Sequence, residues 1–293
     1  MGIAFFLLGL AKKVILADGV VPLVDRVFAS DSCGMAEAWI GIWAYAMQIY
    51  FDFSGYSDMA VGLGLMLGFQ FPQNFNSPYK AISITDFWRR LHMSLSTWLR
   101  DYFYIPLGGI RKGPWRTYVN LTLTMLLGGL WHGANWTFLC WGLYHGFLLA
   151  IERQIGKKSL FWWAPVFIQR IATFILILVG WVFFRSSNLS ASIDCLMRMV
   201  GLKAGAVANA AIPLDGIPVI SFIALGLASL FAWGSPNTWE WLSLPGKTAR
   251  ALSWPMFTWP QTIGVGVGLL MLFILSLGII MVNSSSPFLY FQF

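Results

Sequence analysis

Apolar residues fill this chain in long blocks, parted by short polar or glycine-containing breaks. A membrane-crossing helix needs ~20 apolar residues, and that length serves as the ruler. Ile3 to Ala17 is a short apolar segment interrupted by Lys12-Lys13, which reads as a helix end. Ala36 to Tyr50 is apolar and aromatic, and Met59 to Phe71 is apolar with Gly64-x-x-x-Gly68, a spacing that permits close helix approach. Tyr118 to Trp131 and Trp136 to Ile151 predict two helices joined through Gly133-Ala-Asn135, hence a tight hairpin. Three more spans are predicted at Ile168 to Phe184, Ile217 to Trp233 and Ile263 to Val282. Ser190 to Lys203 sets Ile193, Leu196, Met197 and Val200 on one helical face, away from Asp194 and Arg198, and predicts an interfacial helix. Trp233 to Pro260, rich in Trp and Pro, reads as a surface loop.

Pro72 to Trp115 breaks the pattern. It mixes Lys80, Arg89, Arg90, His92, Arg100, Asp101, Arg111 and Lys112 with Phe, Trp, Tyr and Leu. Thr85-Asp86 reads as a helix N-terminus with acceptors for its free amides. Trp88, Leu91, Leu95, Trp98 and Leu99 make an apolar stripe. His92 and Arg89, three apart, share one face. Pro106-Leu-Gly-Gly109 ends the segment, which suits an amphipathic interfacial or re-entrant element better than a spanning one.

Composition supports the membrane reading. Apolar residues are 58% and charged residues 11%, against about 25% charged in soluble domains. The 16 Trp fit side chains that anchor at the interface. The net charge of +7 comes from basic residues interleaved with apolar spans, which excludes a soluble basic domain for nucleic acid. Cys33, Cys140 and Cys195 are odd in number, far apart and without His at ligand spacing, so neither a disulfide framework nor a metal site is expected. The apolar run Ile3 to Leu10 precedes Lys12-Lys13, the reverse of a signal peptide, and the chain opens as if in the middle of a membrane protein. Both outer ends of the predicted hairpin are basic (Arg111, Lys112 and Arg116 before it; Arg153, Lys157 and Lys158 after it), which puts them on the cytoplasmic side. Arms of about 15 residues reach ~22 Å, short of the ~30 Å hydrocarbon core. The hairpin tip is therefore expected within the membrane, facing a water-filled or protein-lined cavity.

At that tip stands His132, in Leu126-Leu-Gly-Gly-Leu-Trp-His-Gly-Ala134. An ionisable group at membrane depth is costly and points to function. Two readings stand: an imidazole bonded to a helix carbonyl, or a general base acting on an acceptor hydroxyl, with burial keeping the ring neutral. His92 is either a polar residue on the wet face of its helix or a second active-site group. His145, on the second arm, is expected to pack or to bond another helix. Arg89, Arg90, Arg100 and Asp101 are either solvated near headgroups or set to meet the phosphates of a donor such as coenzyme A. Asp52 and Asp58 in apolar stretches are either helix-end residues or functional. A transporter, or a non-catalytic membrane partner that recruits a secreted transferase, are the rival classes; polar residues concentrated in one segment and one hairpin argue against a transport path.

Tyr56-Ser-Asp-Met-Ala-Val-Gly62, Phe71-Pro-Gln-Asn-Phe75, the run from Asp86-Phe-Trp-Arg-Arg-Leu-His92 to Ile105-Pro-Leu-Gly-Gly109, and Gly128-Gly-Leu-Trp-His-Gly-Ala134 resemble the membrane-bound O-acyltransferase family. Within it, the chain resembles the bacterial alginate O-acetyltransferase branch, and the likeness extends to Ser286-Pro-Phe-Leu-Tyr-Phe-Gln-Phe293. The resemblance implies an all-α polytopic integral membrane protein, with short re-entrant or interfacial helices around an intramembrane cavity, 1–293 forming one membrane-embedded domain. It implies a catalytic His132 and a supporting His92; Arg89, Arg90, Arg100, Asp101 and Trp131 are the candidate substrate or donor contacts. It further implies acetyl-CoA as donor with no bound cofactor and no metal. The implied setting is the bacterial inner membrane, with membrane lipid, the polysaccharide synthesis machinery and an extracytoplasmic serine-hydrolase-like acetyltransferase as partners. Family members are longer, so the chain is expected to lack an N-terminal part.

Overall fold

The computed structural model describes residues 1–30, 33–156, 159–203, 216–242, 259–282 and 288. Its elements are helical, and no strand occurs among the described residues. In chain order they are α1 (Gly2–Ala11), a π-helical turn (Lys12–Ala17), α2 (Asp18–Phe28), α3 (Met35–Met66), α4 (Ile84–Trp88), α5 (Met93–Leu99), a second π-helical turn (Arg100–Tyr104), α6 (Pro114–His132), α7 (Trp136–Ile155), α8 (Val166–Arg185), α9 (Leu189–Met199), α10 (Val219–Gly234), α11 (Thr238–Leu242) and α12 (Trp259–Val282). Of these, Val166–Arg185 and Ile263–Val282 are long and apolar enough to cross a membrane by themselves. The chain divides into two compact units, one of residues 1–21, 47–74 and 218–292, the other of 22–46, 75–217 and Phe293.

In the first unit, α1 lies against α3 through glycines. A Cβ on Gly9 would stand 2.6 Å from the Gly55 carbonyl oxygen, and one on Gly62 would stand 2.6 Å from that of Gly2. Phe5, Val61 and Leu242 form a small core with Trp239 against it. Lys12-Lys13 does not end a helix. The lysines stay inside a continuous helical run because carboxylates meet them: Lys12 pairs with Asp58 at 2.6 Å, and Lys13 with Asp18 at 2.6 Å and Asp52 at 2.9 Å. Thr238 receives a bond from Lys12 and gives one of 2.6 Å to Asp58. Asp52 and Asp58 are accordingly mid-helix residues, since the two apolar segments expected between 36 and 71 are joined as the single helix α3.

In the second unit, α6 and α7 form the predicted hairpin and pack closely along their length. Pro114 opens α6 at its first turn, where a missing N–H costs nothing. The Asn135 side chain caps α7 by accepting from Thr137 N at 3.2 Å, and Gly156, at φ +66°, closes it in the left-handed conformation. The two helices cross at glycines: a Cβ on Gly129 would overlap the Phe138 carbonyl, and one on Gly142 would overlap that of Met125. The arms hold 19 and 20 residues, so each reaches ~28–30 Å. That matches the ~30 Å hydrocarbon core, and the argument from short arms for a tip within the membrane does not hold.

One other expectation is revised. The helix predicted from Thr85 onward is broken into α4 and α5 at His92, and its cap is Ser83, whose Oγ accepts from Asp86 N at 3.0 Å. In α9, Ile193, Met197 and Val200 point outward while Arg198 is buried, donating to Ser30 O and Cys33 Sγ at 2.9 Å. Arg198 thus packs on protein, Asp194 pairs with Lys203 at 2.7 Å near the surface, and the outward apolar side is the one an interfacial helix turns to lipid. Much of the loop expected between Trp233 and Pro260 lies outside the described residues, apart from α11.

Gly129→Ala and Gly142→Ala should each force the hairpin apart, costing about 1–3 kcal/mol, the usual penalty of overpacking. Unfolding of purified protein in detergent measures this; a transition at the wild-type midpoint would refute the close crossing. Lys13→Met removes the ammonium that Asp18 and Asp52 share, where the Lys13 and Asp52 side chains are 6% and 3% exposed. Breaking a buried pair costs about 3–5 kcal/mol, and Lys13→Met with Asp52→Asn should regain part of the loss in the same assay.

Candidate functional site

The site is built where residues 75–113 lie along the α6/α7 hairpin. The segment starts at Ser77, at φ +47°, and the short turn Pro78–Lys80, where the buried Tyr79 donates its hydroxyl to Ala46 O at 2.6 Å. It then meets the last turn of α7. Glu152 accepts from Ile84 N at 2.8 Å with one oxygen, and from Thr85 N at 2.9 Å and Thr85 Oγ1 at 2.7 Å with the other. One helical turn on, Trp88 sits edge-on to Trp141 at 5.5 Å and to His145 at 5.3 Å, in the middle of α7.

His92 follows, in left-handed conformation at φ +43°. Such a backbone is uncommon for a residue with a side chain, and it turns the chain from α4 into α5. The His92 ring meets Trp131 at 5.8 Å, and Trp131 meets His132 at 5.0 Å. The chain then returns. Leu99 packs at Gly128 on α6. Farther back, Asn120, fully buried, donates to Gly109 O at 3.1 Å, and Thr117 donates to Gly113 O at 2.9 Å. The segment thus runs from the outer end of the hairpin to its tip and back, with His92 at the far turn.

His132 is half-buried at the last position of α6. Rings frame it: Trp141 at 5.3 Å, Phe184 at 4.9 Å and Phe138 at 6.2 Å. Beside it, Trp131 and Trp136 are exposed. His145, lower on α7, is buried among Phe87, Trp88, Trp141 and Tyr144. A glycine makes room for it, since a Cβ on Gly180 would stand 2.7 Å from its Nε2.

At the outer end of the hairpin, a cavity of about 980 Å³ is walled by Thr85, Asp86, Arg89, Arg90, Tyr104, Thr117, Tyr118, Glu152 and Arg153 among others. Arg90 is engaged by Asp86 at 2.8 Å; Arg89 and Arg153 are exposed. Of the residues singled out in the sequence, Arg89 and Arg90 line this cavity, while His92, Trp131 and His132 meet at the tip. Arg100 and Asp101 join neither group. They form an exposed pair at 2.7 Å, in which the guanidinium holds the Asp101 carboxyl below its usual range. The three cysteines are free, and burial pushes the Cys195 thiol up to about 11.

Sequence reasoning missed Glu152, Tyr104, Tyr118 and Arg153. Glu152 carried a signal, since an acid in the last turn of a helix opposes the helix dipole and needs a compensating partner.

Comparison with known proteins agrees with the motifs. The model of the membrane-bound O-acyltransferase family matches residues 1–193. A protein of Azotobacter vinelandii named probable alginate O-acetylase AlgI is 42% identical over 313 aligned positions, covering 100% of this chain and 62% of that relative. Its namesake in Pseudomonas aeruginosa is 54% identical over 194 positions, 65% of this chain and 36% of the relative. A peptidoglycan O-acetyltransferase of Helicobacter pylori is 45% identical over 206 positions, 69% of this chain and 39% of the relative. The chain therefore spans less than two thirds of the length of the relatives it matches, and it belongs to the membrane-bound O-acyltransferase family.

Proposed function

We propose that the chain is the catalytic part of a multi-pass membrane O-acyltransferase that moves an acetyl group from cytoplasmic acetyl-CoA toward the hydroxyls of an exopolysaccharide of the alginate kind. The observation that carries this reading is the meeting of His92 and His132 on one indole, that of Trp131, at the tip of the hairpin. The names of the relatives, which concern alginate and peptidoglycan acetylation, supply the substrate class.

In this reading the neutral imidazole of His132 takes the proton of an acceptor hydroxyl as its oxygen attacks the thioester carbonyl. The carbon–sulfur bond breaks, the ester forms, and the imidazolium returns its proton to the departing thiolate. His92 orients the acceptor or the thioester across Trp131. Arg89 and Arg90, on the cavity at the basic end of the hairpin, face the donor's phosphates. The basic end is cytoplasmic, the turn at His92 is re-entrant, and the tip opens toward the extracytoplasmic face. There the acceptor is a sugar hydroxyl or the serine of a secreted hydrolase-like acetyltransferase. Arg100 and Asp101 pair with one another at the surface and do not line this cavity, so the reading assigns the donor's phosphates to Arg89 and Arg90.

General acid–base catalysis contributes about 10²–10⁴-fold. His132→Ala in the full-length protein should lower the acetyl content of the secreted polysaccharide toward the level of a deletion strain, with protein abundance unchanged. His92→Gln should reduce it less. Wild-type acetylation by the His132→Ala protein would end this reading.

A further inference from the structure

Glu152 has no part in the chemistry just described, yet it is among the most constrained polar residues of the chain. It is 3% exposed. Both carboxylate oxygens are spent on residues 67 and 68 positions earlier, at 2.7–2.9 Å. Bonds of amides and hydroxyls to a carboxylate are about twice as strong as neutral ones. Their donors are the first residues of α4, which lead within one turn to Trp88 and then to His92. The other side of this short stretch is held as well: Asn76 N donates to Arg90 O at 2.9 Å, and Arg90 is tied to Asp86.

His92 itself occupies a left-handed backbone conformation. A residue with a side chain persists there when its surroundings over-determine it. The anchor at Glu152 and the seat of Trp88 on Trp141 and His145 supply that determination from the hairpin side. The hairpin also carries His132, so one rigid helix pair sets the position of both imidazoles.

We propose that Glu152 is a positioning residue, a latch that fixes the start of α4 on α7 so that the turn at His92 reaches Trp131 beside His132. The proposal rests on the acyl-transfer reading of the two histidines. Glu152 acts through His92: it borders the cavity at the outer end of the hairpin, but both of its carboxylate oxygens are already engaged by α4. A glutamine at 152 retains one acceptor oxygen, so either the Ile84 or the Thr85 amide loses its bond.

The test uses full-length protein carrying Glu152→Gln, His92→Gln or both, with acetyl transfer and amide hydrogen exchange as readouts. Glu152→Gln should lower turnover on the order of 100-fold, the effect of a misplacement of about 1 Å. Donor KM should move far less, and exchange should speed up in the peptide holding Ile84 and Thr85. The double variant should be no slower than His92→Gln alone, because residues that act as one unit are not additive. Glu152→Asp, which keeps the charge, should recover part of the turnover if Glu152→Gln proves poorly folded.

Losses that multiply in the double variant, or wild-type turnover in Glu152→Gln, would overturn the latch. Unchanged exchange at Ile84 and Thr85 would overturn it while leaving the acyl-transfer reading intact. Wild-type turnover in His92→Gln would instead refute the role given to His92, and the proposal with it.

Discussion

The close crossing of α6 and α7 is the constraint on which the site depends. Gly129 and Gly142 let each helix backbone rest against a carbonyl of the other, and no larger residue allows that approach. Two helices locked at this distance make a rigid ruler about 28–30 Å long. His132 ends one arm, and Trp141, His145 and Glu152 are spaced down the other. Everything the 75–113 segment does is registered against that ruler: Thr85 at its outer end, Trp88 at its middle, His92 at its tip, then Leu99, Gly109 and Gly113 on the way back. An irregular segment of this kind exposes backbone amides and carbonyls, which is tolerated at membrane depth only where protein or a water-filled cavity surrounds them. Glu152, Asn120 and Thr117 meet part of that demand.

The two ends of the hairpin differ in chemistry because they differ in composition. The outer end gathers Arg89, Arg90 and Arg153 around a cavity large enough for a ligand of several hundred Å³. At the tip, rings surround His132: the indoles of Trp131 and Trp141 and the phenyl of Phe184. In the proposed reading, the first environment takes the phosphate-bearing donor and the second the proton transfer through neutral imidazole.

What could be read in advance follows the range of the interactions. The hairpin was legible because its signals are local: two apolar blocks with Gly133-Ala-Asn135 between them. His132 was legible because an imidazole in an apolar run is conspicuous. The break at His92 was not, since the apolar stripe through Trp88, Leu91, Leu95 and Leu99 continues across it in phase; the tertiary contacts of Trp88 and His92 override that local periodicity. The ion pairs of Lys12 and Lys13 were hidden for a different reason. Each partner was visible, and Asp52 and Asp58 looked out of place, but some 40 residues of chain separate Lys13 from Asp52 and 46 separate Lys12 from Asp58. Without the pairing, the lysines read as a helix end and the carboxylates as helix termini.

The same logic explains why Glu152 escaped notice while Arg100 and Asp101 drew attention. Charge in a mixed aromatic segment is easy to see: Arg100 and Asp101 pair with one another at the surface, where an ion pair contributes little. A single acid near the end of an apolar helix is easily taken for an interfacial charge. Its value comes from burial and from amides that another part of the chain brings to it. In a membrane-embedded fold the informative charge is therefore the isolated one in the wrong electrostatic position. A residue that opposes its own helix dipole persists because a partner elsewhere in the fold offsets the penalty, and finding that partner locates a tertiary contact. In this chain, that contact leads to α4 and, one turn further, to His92.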